Sequence, residues 1–83
     1  MSAAILPFPL ARRHDLIKKQ AEVFVRSAPR AAENLLAHAL ETQRQALLRK
    51  GCGDRDADDQ VVALEGAIRA EVWRIVLPPG GAA

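Results

Sequence analysis

The chain has no tyrosine, a single cysteine, a single methionine and a single tryptophan. A lone Cys52 excludes any disulfide within the chain, and no group of Cys and His stands at metal-ligand spacing. A thiol set between Gly51 and Gly53 suits a reducing compartment. Phe8, Phe24 and Trp73 are the only aromatic residues. Alanine and leucine therefore dominate the apolar fraction, which favours helix over sheet. Nothing approaches the roughly 18 consecutive apolar residues that a membrane span needs. The apolar stretch Ala3 to Leu10 is interrupted by Pro7 and Pro9, and its arginines follow it, which is the reverse of a secretion signal. The expectation is a soluble, cytoplasmic protein without a membrane segment.

Eighty-three residues make at most one domain. A chain of that size buries only about 60–65% of the surface its unfolded form exposes, so its stability is marginal without help. With disulfides and metals absent from the sequence pattern, a partner chain is the remaining source of buried area, and a homodimer is the expected solution.

The period of the apolar residues predicts an all-α fold: a short extended arm over 1–11, a three-helix domain over 12–77 and a flexible tail over 78–83. Pro7 and Pro9 push their neighbours toward extended conformations. Leu16, Ile17, Ala21, Phe24, Val25 and Ala28 recur at helical steps, giving a first helix from about Arg12 to Arg26, with Asp15 in its first turn. Ser27 is a candidate N-cap for a second helix running from about Pro29 to Lys50. Ala32, Leu35, Leu36, Ala39, Leu40 and Leu47 form the stripe of that helix, and Gly51 is placed to end it. Asp56 or Asp58 is expected to cap a third helix reaching about Leu77. Val61, Leu64, Ile68, Val72 and Ile75 step by 3, 4, 4 and 3 along it, and Val62, Trp73 and Val76 form a second apolar strip with Gly66 between them. The glycine-rich linker makes helices two and three an antiparallel hairpin, across which the first helix folds. One of the two strips on the third helix is then left for the first helix or for a second subunit.

Charge is uneven along the chain: +4 over residues 1–30, +1 over 31–50 and −3 over 51–83. The plain reading is that the two ends neutralise each other within the fold or across a dimer. Arg12, Arg13, Lys18, Lys19, Arg26 and Arg30 are nevertheless a candidate phosphate-tracking set, following an arm of the kind some DNA binders place in the minor groove. No helix-turn-helix spacing, zinc finger or RNA-binding aromatic motif accompanies them. His38 and Glu41, one helical turn apart, lack the paired histidines of a carboxylate-bridged metal bundle, so no metal and no cofactor is expected. Cys52, with Lys50 and Arg55 nearby, has no base or oxyanion site to make it a nucleophile. No catalytic residue and no small-molecule substrate emerges.

The opening Pro7-Phe8-Pro9-Leu10-Ala11-Arg12-Arg13 resembles the start of a family of short bacterial proteins catalogued as a domain of unknown function. The segments Ile17-Lys18-Lys19-Gln20-Ala21 and Leu64-Glu65-Gly66-Ala67-Ile68-Arg69-Ala70-Glu71-Val72-Trp73-Arg74 are similar to its other recurring stretches. The resemblance covers nearly the whole chain, implies no activity, and marks the proline-arginine arm as a shared feature. The expected function is a non-enzymatic helical protein–protein interaction module, itself a homodimer, with Leu6, Phe8 and Leu10 of the arm and Trp73 and Val76 of the third helix meeting the partner. The alternative is a small nucleic-acid-associated protein using the six cations of the arm and first helix.

Overall fold

The computed structural model describes residues 10–77. Three helices occupy most of them: α1 (His14–Arg26), α2 (Pro29–Arg49) and α3 (Asp54–Val76), with a 3-10 turn, Leu10–Arg12, just before α1. No strand occurs among the described residues. The expected arm over 1–9 and tail over 78–83 lie outside them. The expected boundaries shift at two ends. Leu10–Arg12 is a tight turn rather than extended chain, and α1 begins two residues later than Arg12. Leu10 explains the turn: its side chain is buried, and its backbone N–H donates to Gln60 Oε1 on α3 at 2.9 Å.

The connections show how local chemistry sets the helix ends. Between α1 and α2, Ser27 closes the first helix instead of opening the second. Its hydroxyl donates to the Val23 carbonyl at 2.7 Å, one of the carbonyls a helix end leaves without a partner. Ala28 is the N-cap of α2, and Pro29 follows at the first helical position. After α2, Gly51 has φ +95°, a left-handed conformation that a side chain disfavours. The Gly51 N–H donates to the Leu48 carbonyl and the Cys52 N–H to the Leu47 carbonyl, each at 3.0 Å. These paired bonds are a Schellman motif, and its usual apolar contact is present in Cys52, which packs half-buried on the core that holds Leu47. Cys52 is thus less accessible than its glycine neighbours suggest. Gly53, not Asp56 or Asp58, is the N-cap of α3, and no side chain caps it. Asp54 and Asp56 instead stand in the first turn, where the helix dipole favours negative charge.

Two ion pairs fix the register of the α2–α3 hairpin. Arg44 Nε donates to Asp58 Oδ1 at 2.7 Å near the connection. Eleven residues back along α2 and eleven forward along α3, Arg69 binds both oxygens of Glu33, at 2.8 and 3.1 Å. Equal steps in opposite directions define an antiparallel pair. α1 lies across this hairpin and packs on both helices, more extensively on α3. Leu10, Ile17, Ala21, Leu36, Leu40, Leu47, Ala57, Leu64 and Ile68 form the core. Ala21 is fully buried, and its small side chain lets α1 approach the hairpin closely. Of the two apolar strips expected on α3, the one through Val61, Leu64, Ile68 and Val72 faces this core, and its last residue, Ile75, is instead 41% exposed.

Candidate apolar interaction face

The second strip faces outward. Val62 is 67% exposed, Trp73 62%, Leu77 55% and Val76 49%. Trp73, whose position suits the core and a partner equally in sequence, is left largely outside the core. The outer faces of the other two helices are different in kind. α1 turns Asp15, Lys18, Lys19, Glu22 and Arg26 to solvent, and α2 turns Arg30, Asn34, His38, Glu41 and Gln45, with Val25 and Leu35 the single large apolar exceptions. Polar outer faces need no partner, and an apolar strip of this length is the feature of the surface that calls for an explanation.

Trp73 stands at the lip of a groove where the end of α1, the start of α2 and the end of α3 meet. Phe24, Glu33, Arg69 and Val72 line it beside the indole, and it continues past Val25, Pro29 and Ala32 to Val76. Arg69 organises the wall. Its guanidinium binds Glu33, donates to Glu65 Oε2 at 3.0 Å and lies 5.8 Å from the centre of the Phe24 ring. The hydrogen bond from Arg69 holds the Glu33 carboxyl below its ordinary value of 4.5, and the two carboxylates raise the Arg69 guanidinium above its own. The sequence reading missed this groove. Phe24, Glu33 and Arg69 meet only once the hairpin register is set, and no spacing in one dimension announces that register.

The other expected site residues are dispersed. Leu6 and Phe8 lie outside the described residues. Leu10 is only 4% exposed, so its side chain is committed to the chain's own core and not to a partner in this conformation. Arg12 sits in the 3-10 turn, Arg13 precedes α1, Lys18, Lys19 and Arg26 are on α1, and Arg30 is in the first turn of α2. All six are exposed, and no ion pair joins any of them to another described residue. Lys19 and Arg26, seven residues apart, share a face of α1, whereas Arg12 and Arg30 belong to other elements. His14 and His38 are exposed, and no group of three or more metal-capable side chains forms among the described residues. No described helix is long and apolar enough to cross a membrane.

The fold and this face define a small all-helical protein with an apolar strip on the outer side of α3. Over its full span, residues 1–83, the chain matches the model of a family described as a family of unknown function (DUF6074), and it belongs to that family. No curated protein and no solved structure matches it.

Proposed function

We propose that this chain is a non-enzymatic interaction module that binds protein, first of all a second copy of itself, through the apolar outer side of α3 and the groove beside it. One observation carries the reading: Val62, Trp73 and Val76 of α3 and Leu77 at its C-cap are exposed together, while α1 and α2 expose mainly polar side chains, with Val25 and Leu35 as single large exceptions. Exposed apolar side chains scattered singly are ordinary. A tryptophan with three aliphatic neighbours along one helix is the composition of an interface centre. Trp73 and Val76 are the residues that meet the partner. Sedimentation equilibrium tests the reading. The protein is expected to move from its 9.0 kDa chain mass toward a multiple of it as concentration rises, and a constant chain mass up to about millimolar concentration would remove the homo-oligomer.

A second reading is favoured by the six cations. Arg12, Arg13, Lys18, Lys19, Arg26 and Arg30 are exposed without an ion-pair partner among the described residues, the condition in which cations are available to phosphates. Anisotropy of labelled duplex DNA and single-stranded RNA separates the two. Phosphate contacts from four to six cations give a slope of about −3 to −5 in log affinity against log salt. Binding of that kind, lost when Arg12, Arg13, Lys18 and Lys19 become Ala, would promote the nucleic-acid reading. No binding at low salt would remove it.

A further inference from the structure

We infer that the outer face of α3 pairs antiparallel with the same face of a second copy, so that Trp73 of each copy seats over Ala63 and Gly66 of the other. The inference rests on the reading that the chain self-associates, and it names the surface and the register. Ala63, Gly66, Ala70, Trp73 and Leu77 step by 3, 4, 3 and 4, the a/d spacing of a helix-pairing seam, and every one of them is exposed. This seam is separate from the buried one through Leu64 and Ile68. Between Asp59 and Arg74 no charge lies on it, because Glu33 and Glu65 draw the Arg69 guanidinium to one side. It is narrow at Ala63, Gly66 and Ala70 and bulky at Trp73 and Leu77. Two copies laid antiparallel therefore fit large against small.

Gly66 supplies an independent argument. It sits in the interior of a 23-residue helix, where glycine is among the costliest residues. Its φ is not in the left-handed region, and a Cβ built there would meet nothing within 4 Å. The chain's own fold gives no reason for it. Close approach of another helix backbone does.

Charge sets the direction. The first half of α3 carries Asp54, Asp56, Asp58 and Asp59 against Arg55 alone, whereas in the second half Arg69 and Arg74 balance Glu65 and Glu71. Parallel pairing would set the two acidic halves against each other, and antiparallel pairing sets each against a neutral half. With the two-fold axis level with residue 68, Trp73 is level with Ala63 of the second copy, Gly66 with Ala70, and Arg74 with Val62, three residues along the helix from Asp59. Asp59 has no ion-pair partner among the described residues, and the nearest carboxylate to Arg74 is Glu71, at 3.7 Å. The seam from Ala63 to Leu77 is about 21 Å long, at the small end of specific interfaces, so the dimer is expected to depend on concentration.

Two experiments decide this. In sedimentation equilibrium, Gly66→Leu is expected to weaken the dimer at least ten-fold while the dilute protein melts no lower than wild type, since the added side chain enters open space. A dimer unchanged by Gly66→Leu would overturn the seam and leave the homo-oligomer standing. A wild-type chain that stays monomeric overturns both. Spin labels on Arg55→Cys, in a Cys52→Ser background, read the direction independently of that variant. Antiparallel pairing about residue 68 puts the labels about 39 Å apart, whereas parallel pairing puts them about 10–20 Å apart. The short distance would overturn the arrangement, as would no intermolecular distance at concentrations where the dimer forms.

Discussion

Replacing Trp73 with Ala in dilute, monomeric protein is expected to cost little folding stability for so large a deletion. A tryptophan in a core buries about 150–250 Å² and costs about 3–5 kcal/mol to truncate. Trp73 is 62% exposed, which leaves a little over a third of its surface covered by its own chain. That share is about 60–95 Å², or about 1.5–2.4 kcal/mol at ~25 cal/mol per Å². Alanine returns about 0.5 kcal/mol through its better helix propensity, leaving a net loss of about 1–2 kcal/mol. Ile68 is the internal standard. It is fully buried, and Ile68→Ala is expected to cost about 2–5 kcal/mol, a large part of the ~4–12 kcal/mol available to a domain of this size. Urea unfolding followed by circular dichroism at low micromolar concentration compares the two. Equal losses would place Trp73 in the core and refute the reasoning.

The two glycines at α2's end and in α3 should answer the same substitution with opposite signs. Gly51→Ala forces a side chain into φ +95° and is expected to lose about 1–2 kcal/mol, while Gly66→Ala gains about 0.5–1 kcal/mol in the monomer; thermal melts of the dilute proteins check both. The Glu33 carboxyl is held below its ordinary 4.5 by Arg69, so its contribution is present above that value and is lost as pH falls below it. Urea midpoints measured from pH 7 down to pH 3 should therefore fall less steeply below about 4.5 in Glu33→Gln than in wild type, and parallel curves would show that the bridge carries no pH dependence. Added salt should leave self-association largely intact, because the seam is apolar with charges only at its ends. A ten-fold loss in affinity between about 50 and 200 mM salt would assign the association to charge instead.

The three helices were legible because each carries a strong 3.6-residue stripe, and Gly51 gave the end of α2 from composition alone. The caps were less legible. Ser27 lies equally well after α1 or before α2, and only its hydroxyl bond to Val23 decides between them. Asp58 reads as a cap in sequence, yet its carboxylate is taken by Arg44 across the hairpin. The uneven charge read along the chain is partly resolved in the same way, since Arg44 of α2 stands against Asp54 and Asp58 of α3. Val62, Trp73 and Val76 were recognisable as a second strip. Which strip would face the core depended on where α1 crosses, and periodicity does not record that. Leu10 looked like part of an arm available to a partner, and its burial depends on the contact with Gln60, fifty residues away.

The most direct test is collisional quenching of Trp73, the chain's only tryptophan, as a function of protein concentration. In dilute protein the exposed indole should quench readily with acrylamide. As the dimer forms, Trp73 should become protected in step with the rise in mass, and Gly66→Leu should abolish the protection. Quenching that stays equally efficient while the mass doubles would mean that association leaves Trp73 outside the interface, and would contradict the account.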